Sequence, residues 1–218
     1  MRQLLLAIQP APEATFDNFV PGANVELLAR LRDVAGARSK EAVIYLWGDP
    51  GSGRTHLLRA AVRAAPDAGY VSAGSVLGAP EVRLLAVDDV ERLADDEQVA
   101  VFRLINRARD GAGTVLAAGN VPPAQLALRD DLRSRLGWGL AYQVHPLTDA
   151  DKALWLRAEA ERRGLRLADD VVWYVLTHVR RDMPSLNAIL EHLDRYSLER
   201  QRSVTLPLVR QALQELEG

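Results

Sequence analysis

The feature that most constrains the fold of this chain is a glycine-rich segment between an apolar run and a helical pattern. Residues 42–47 are apolar without interruption, which is typical of a parallel strand buried on both faces. A helical pattern runs from residue 55 to about residue 65. The segment between them reads Gly48-Asp49-Pro50-Gly51-Ser52-Gly53-Arg54-Thr55. Glycines there let the backbone wrap around an anion, and the N–H groups at the helix start point toward it. We therefore predict a phosphate-binding loop; a tight turn with incidental glycines is the alternative.

The loop departs at one position from the frame Gly-x-x-x-x-Gly-Lys-Ser/Thr, because Arg54 stands where lysine is usual. Arginine keeps the positive charge but is longer and planar, so it cannot reproduce the point contact of lysine with phosphate. Thr55 could hold Mg²⁺ through its hydroxyl group. We therefore expect binding of ADP or ATP with Mg²⁺ more than fast hydrolysis. The predicted nucleotide-binding residues are Gly48, Asp49, Pro50, Gly51, Ser52, Gly53, Arg54, Thr55 and His56.

Polar residues also follow two further apolar strands. Residues 84–87 are apolar and lead into Asp88 and Asp89. In a phosphate-loop protein we expect this strand beside the loop, so that Asp88 organises Mg²⁺ and Asp89 polarises an attacking water. The alternative for Asp89 is capping of the next element. Asn120 follows the strand at 114–119. Its side chain could reach a γ-phosphate, or it could start a turn with the prolines after it.

Strands and helices alternate up to about residue 146, which indicates an α/β fold with helices on both faces of a parallel sheet. Five strands are expected, at residues 42–47, 69–72, 82–88, 114–119 and 140–144. Asn24 is expected to cap a helix through residues 25–31, and a helix is expected at 97–109.

After Pro146 the pattern is helical only. Asp149 is expected to cap a helix that runs to Arg163. Further helices are expected at 169–178, from Pro184 to about residue 202, and at 207–216. The chain is thus predicted to contain a flexible tail at 1–14, an α/β nucleotide-binding domain at 15–147 and an all-helical domain at 148–218.

Composition narrows the possible functions. The net charge of −2 gives no overall attraction to nucleic acid or to a membrane surface. Cysteine is absent, which excludes disulfides, thiolate zinc sites and cysteine nucleophiles. No apolar run approaches the roughly 20 residues that span a bilayer, and the apolar stretch near the start is shorter than a secretory signal needs. We therefore expect a cytoplasmic protein.

A pair of arginines near the end of the α/β domain could serve a neighbouring subunit. Arg133 and Arg135 lie two residues apart, so on a helix they point in different directions. Arginine is the natural donor to phosphate charge that develops in a partner's site. From the residues alone, both could equally be ordinary surface arginines.

Four segments together resemble the DnaA-related AAA+ family, and in particular its shorter Hda branch. They are Thr15-Phe16-Asp17-Asn18-Phe19, the phosphate loop, Val87-Asp88-Asp89 and Ser134-Arg135-Leu136-Gly137-Trp138-Gly139. The resemblance covers essentially the whole chain and implies an AAA+ phosphate-loop module followed by a helical lid. Because DnaA carries a helix-turn-helix DNA-reading domain after the lid and this chain does not, the Hda branch is favoured.

The resemblance also implies a function. Hda-like proteins join the sliding clamp (the β subunit of DNA polymerase III) on DNA and promote hydrolysis of the ATP bound to DnaA, which inactivates the initiator. The resemblance assigns Arg135 as an arginine finger aimed at the nucleotide of DnaA. The segment at 3–8 is similar to the clamp-binding peptide, with Gln3, Leu4, Leu6 and Ile8 as the docking residues. DNA would be contacted mainly through the clamp, the resident nucleotide would be ADP, and a homodimer is possible.

One departure from the family pattern concerns the lid. AAA+ lids usually carry an arginine at the start of their third helix, where this chain has Pro184. Arg180 or Arg181 could compensate. Two other functions therefore remain open: an independent ATPase that loads or remodels a replication protein such as a helicase, and a regulator that binds duplex DNA directly.

Overall fold

The computed structural model describes residues 13–200 and 203–217 of the chain. They divide into two compact units, of which the first comprises residues 14–146 and the second residue 13 together with the described residues from 147 onward. Each unit has its own apolar core. Within the described ranges, no helix is both long and apolar enough to cross a membrane.

The first unit is built on a five-stranded sheet in which all neighbouring strands are parallel. Its strands are β1 (Val43–Trp47), β2 (Ala68–Ser72), β3 (Leu84–Asp88), β4 (Thr114–Gly119) and β5 (Leu140–Gln143). Their order across the sheet is β2-β3-β4-β1-β5. β4 pairs with both β1 and β3, so it lies between the strand that precedes the loop and the strand that ends at Asp88.

Helices cover both faces of the sheet because successive strand residues point to opposite sides. Ile44 and Leu46 pack on one face with apolar side chains of the first two helices. Val43 and Tyr45 pack on the other face with those of the next two. These helices are α1 (Val25–Ala35), α2 (Arg54–Ala64), α3 (Asp95–Arg107) and α4 (Asp130–Leu136).

Asn24 precedes α1 but does not cap it through its side chain. Its side-chain amide donates to the carbonyl oxygens of Pro21 (3.0 Å) and His145 (2.8 Å), and its Oδ1 accepts from the N–H of His145 (2.8 Å). The predicted N-cap is therefore corrected: this buried amide ties the start of α1 to the segment that follows β5.

The second unit consists of helices, as the pattern after Pro146 predicts. They are α5 (Asp149–Arg162), α6 (Asp169–His178), α7 (Met183–Arg200) and α8 (Leu206–Glu217). Thr148, rather than the expected Asp149, caps α5: its hydroxyl accepts from the N–H of Asp151, whose carboxylate accepts from the N–H of Thr148. Asp149 lies in the first turn and pairs with Arg181 at 2.8 Å. The predicted class, an α/β parallel sheet followed by a helical region, is confirmed.

Candidate functional site

The glycine-rich loop leaves the carboxyl end of β1 and leads directly into α2. Gly51 and Gly53 have φ values of 82° and 102°, in the left-handed region that favours glycine. Ser52 is 6% exposed, and its hydroxyl oxygen is buried without a hydrogen-bond partner. Buried polar atoms are usually satisfied, so this hydroxyl inside the loop fits the presence of a polar ligand. The loop thus has the backbone form that a phosphate group requires.

The two proposed ligands of Mg²⁺, Thr55 and Asp88, lie in contact. Thr55 donates from Oγ1 to Oδ2 of Asp88 at 2.7 Å, although β4 lies between β1, which precedes the loop, and β3, which ends at Asp88. Asp88 is 2% exposed. In the described parts of the chain no three His, Asp or Glu side chains cluster as a metal cage would require. The pair therefore fits a cation such as Mg²⁺ that takes few protein ligands and binds with the phosphates of a nucleotide.

Asp88 also accepts from a residue that the sequence analysis missed. The hydroxyl of Tyr70, in β2, donates to Oδ2 of Asp88 at 2.8 Å, and the backbone N–H of Asp89 donates to Oδ1 at 3.0 Å. Nothing in the sequence around Tyr70 marks it, because the contact depends on the pairing of β2 with β3.

Asp89 adopts a left-handed backbone conformation, with φ 53° and ψ 43°. It stands before a short 3₁₀ turn at Val90–Arg92 but makes no side-chain hydrogen bond to that turn. Such a conformation is uncommon for a residue other than glycine and tends to occur at functional sites. The capping alternative for the Asp89 side chain is therefore not supported.

Arg54 is the first residue of α2 and is half-buried. One of its terminal nitrogens, Nη1, is buried without a hydrogen-bond partner. The charge of Arg54 acts on the phenol of Tyr45. Burial and the negative charge of Glu91 raise the pKa of this phenol, and the positive charge of Arg54 lowers it. The guanidinium group therefore lies close enough to the Tyr45 hydroxyl to interact with it electrostatically.

Asn120 lies next to the loop because of strand register. β4 pairs with β1 so that Gly119 stands opposite Trp47, which places Asn120 at the level of Gly48. Asn120 is exposed. The hydroxyl of Tyr45 donates to the carbonyl oxygen of Val121 at 2.8 Å and holds the turn after β4.

The segment at 15–19 packs against the beginning of α2. Thr15 and Asn18 exchange backbone-to-side-chain hydrogen bonds, and Nε2 of His56 lies 2.9 Å from the carbonyl oxygen of Thr15. The ring of Phe19 closes on the loop: a Cβ at Gly53 would meet its Cε2 at 2.9 Å. Residues 15–19, one of the segments that carry the family resemblance, are therefore close to the loop in space although they precede it in sequence.

The two candidate arginines of α4 do point in different directions. Arg133 pairs with Asp130 at 2.6 Å. Arg135 instead places its guanidinium carbon 3.6 Å from the centroid of the Trp138 ring and 5.4 Å from that of Phe102. Its Nη1 is buried without a hydrogen-bond partner.

The turn after α4 lies at the end of the sheet opposite the loop. α4 leads into β5, whose first residue, Leu140, pairs with Ile44 near the start of β1. A Cβ at Gly139 would collide with the carbonyl group of Val43, the first residue of β1. The loop follows the last residue of that strand, roughly 15 Å away at the rise of a parallel strand. The turn that follows α4 therefore lies at the other end of β1 from the loop.

The remaining predicted residues divide into two groups. In the helical unit, Arg180 pairs with Asp182 at 3.1 Å, and Arg181 donates to the carbonyl oxygen of Leu176 and to Asp149. Pro184 is the second residue of α7. The predicted clamp-binding residues Gln3, Leu4, Leu6 and Ile8 lie outside the described residues.

Comparisons with known proteins agree with this geometry. A family model described as the Hda lid domain matches residues 149–213. The fold is similar to domain III of the Thermotoga maritima replication initiation protein DnaA, with a TM-score of 0.72 and 22% identity over 95% of this chain and 99% of that chain. AMPPCP-bound DnaA from Aquifex aeolicus is similar with a TM-score of 0.70 and 22% identity, over 87% and 68% of the two chains. A RuvB mutant from Thermotoga maritima is similar with a TM-score of 0.67 and 14% identity, over 95% and 74%.

The likenesses to DnaA and RuvB confirm the predicted AAA+ fold. The match of residues 149–213 to the Hda lid domain supports the predicted relation to Hda and DnaA.

Proposed function

We propose that this chain is a regulator of replication initiation that binds ADP or ATP and stimulates hydrolysis of the ATP bound to DnaA. The observation that carries the proposal is the stacking of Arg135 on the exposed ring of Trp138, just before the turn that lies at the other end of β1 from the loop. An arginine so placed can act on the nucleotide of a neighbouring subunit, where such a residue is worth about 10³–10⁵ in rate. The match to the Hda lid domain supports DnaA as that neighbour.

The chain's own nucleotide would occupy the loop at residues 48–55. Backbone N–H groups of the loop and the start of α2 would bind its phosphates, with Gly51 and Gly53 allowing the close approach. Thr55 and Asp88 would contribute to the coordination shell of Mg²⁺. This ion, when bound, neutralises phosphate charge. Asp89 would orient a water and Asn120 would face the terminal phosphate. Because Arg54 replaces lysine and one of its terminal nitrogens is buried, we expect slow intrinsic hydrolysis and a mainly structural role for the bound nucleotide.

The partners of this regulator would be DnaA and the DNA-loaded sliding clamp. Gln3, Leu4, Leu6 and Ile8 would dock in an apolar groove of the clamp as an extended peptide. DNA would be reached through the clamp, which agrees with a net charge of only −2.

The decisive experiment measures hydrolysis of radiolabelled ATP on DnaA in the presence of DNA-loaded clamp and this chain. Arg135→Ala should remove the stimulation. The expected loss in the hydrolysis rate is about 10³-fold, which is the lower end of what an arginine finger contributes. Arg133→Ala is the matched control, because Arg133 pairs with Asp130 on the same helix. Equal rates for Arg135→Ala and the parent chain would refute the finger role.

A second experiment tests the clamp contact. Clamp should be retained by the full chain and lost from a version without residues 1–9. Undiminished retention by the shortened chain would remove the clamp from the proposal while leaving the finger role open.

The contact between Thr55 and Asp88 also favours a second candidate function, an independent ATPase that loads or remodels a replication protein. This candidate requires turnover by the chain alone. Measuring ATP hydrolysis without DnaA, with and without single-stranded DNA, separates the two functions.

A further inference from the structure

One carboxylate oxygen in the candidate site receives two hydroxyl groups from different directions. Oδ2 of Asp88 accepts from Thr55 on α2 at 2.7 Å and from Tyr70 on β2 at 2.8 Å. Oδ1 accepts from the N–H of Asp89 at 3.0 Å. Asp88 is 2% exposed, and its carboxylate is thus held by three donors: one on α2, one on β2 and the backbone N–H of the next residue.

The donors reach the carboxylate of Asp88 from two sides, that of the loop and that of the sheet. Each carboxylate oxygen offers two lone-pair positions. At Oδ2 these are taken by Thr55, on the side of the loop, and by Tyr70, on the side of the edge strand. At Oδ1 the Asp89 N–H takes one position and leaves the other for a ligand of the loop. Without Tyr70, a buried lone pair would lose its donor, and the carboxylate would gain from rotating away from Thr55.

We propose that Tyr70 is a positioning residue that holds the carboxylate of Asp88 toward the hydroxyl of Thr55. Asp88 and Thr55 are thereby placed in the coordination shell of a divalent cation that is bound to the nucleotide. The inference rests on the proposed nucleotide binding and extends it to a residue on the strand farthest from β5. Tyr70 acts through Asp88 and touches neither phosphate nor cation.

The Tyr70 hydroxyl is a hydrogen-bond donor at neutral pH, because a phenol has an ordinary pKa of about 10. Burial and, after it, the hydrogen bond to Asp88 raise this pKa to about 12. The guanidinium carbon of Arg59 lies 5.1 Å from the centroid of the Tyr70 ring, within the range of a cation–π contact.

The test measures the gain in nucleotide affinity that Mg²⁺ provides. Fluorescently labelled ADP is titrated with the full chain, once with EDTA and once with saturating MgCl₂, and the ratio of the two Kd values is the gain. Tyr70→Phe keeps the ring and removes only the hydroxyl. We expect it to lower the gain by about tenfold, the effect of losing one hydrogen bond to a charged group, while the Kd in EDTA stays within about twofold. Tyr142→Phe is the matched control, because Tyr142 lies on β5 at the opposite edge of the sheet.

Each outcome decides the inference. A reduced gain with an unchanged Kd in EDTA supports it, and the unchanged Kd also shows that the variant is folded. An unchanged or larger gain overturns it, as does an equal loss of affinity in both conditions, which would mark Tyr70 as merely structural. If the parent chain binds no ADP in either condition, the proposed nucleotide site fails and the inference fails with it.

Discussion

The guanidinium carbon of Arg135 lies 3.6 Å from the centroid of the Trp138 ring. At this separation the cation and the ring attract each other, and the planar group is held in one orientation. Trp138 is 57% exposed, and Arg109 lies 5.5 Å from its centroid. An exposed aromatic ring therefore fixes the side chain that we propose as the donor to a partner's nucleotide.

Replacement of Trp138 should reduce the stimulation of DnaA without removing Arg135. Trp138→Ala removes a cation–π contact worth about 0.5–2 kcal/mol, so we expect the stimulated hydrolysis rate to fall by about tenfold. Trp138→Phe keeps an aromatic face and should retain most of the rate. The rate at saturating concentration of the chain is the quantity to measure. Equal losses in the alanine and phenylalanine variants would show that the ring does not act through stacking.

The loop glycines should respond differently to alanine. Both Gly51 and Gly53 have positive φ values, and each alanine would cost about 1–2 kcal/mol for the left-handed conformation. At Gly53 the new Cβ would also meet the ring of Phe19 at 2.9 Å, whereas at Gly51 no atom lies within 4 Å. Gly53→Ala should therefore lower the melting temperature more than Gly51→Ala. Equal melting temperatures would mean that Phe19 moves freely away from the loop.

The main elements follow from the sequence because buried parallel strands and helical periods leave strong local patterns. β1 is a continuous apolar run, β4 is apolar after Thr114, and α6 begins and ends at the predicted residues, Asp169 and His178. Contacts made in three dimensions leave no such pattern. The strand order that separates β3 from β1 cannot be read from the chain, and neither can the stacking of Arg135 on Trp138.

The capping residues show the same limit at a smaller scale. Asn24 and Asp149 have the chemistry of helix caps, but Asn24 finds partners in His145 and Asp149 finds one in Arg181. Thr148 takes the cap of α5 instead, since Asp151 three residues later completes the reciprocal pair. Local propensity therefore identifies the region of a helix start, and tertiary hydrogen bonds decide which residue caps it.

Asn24 provides a test that separates these two interpretations. An aspartate would cap a helix as well as asparagine does. In the structure, however, the side-chain amide donates to the carbonyl oxygens of Pro21 and His145, and a carboxylate has no proton to give them. Asn24→Asp should therefore lower the free energy of unfolding by about 2–3 kcal/mol, the effect of leaving buried acceptors unpaired. Urea unfolding of Asn24→Asp and Asn24→Ala measures this; parental stability in the aspartate variant would restore the cap interpretation.

Glu97 should make the stability of the α/β unit depend on pH. Its carboxylate is 4% exposed and accepts from the backbone N–H groups of Gly74 (2.8 Å), Val76 (3.1 Å) and Ala94 (3.2 Å). Burial alone would raise the pKa of Glu97, but these three donors outweigh it and hold the pKa below the ordinary value of 4.5. Because the folded pKa is the lower one, the contribution to stability is full above pH 4.5 and is lost as pH falls through the folded value.

The variant Glu97→Gln keeps an acceptor oxygen but loses the charge, and its amide group cannot accept from Ala94. We expect it to lower the free energy of unfolding by about 1.5–3 kcal/mol at pH 7. The difference from the parent chain should narrow when both are unfolded with urea at successively lower pH values below 4.5, because the parent carboxylate is then protonated. A difference that is constant from neutral to acidic pH would show that the charge of Glu97 does not stabilise the backbone turns at Gly74 and Ala94.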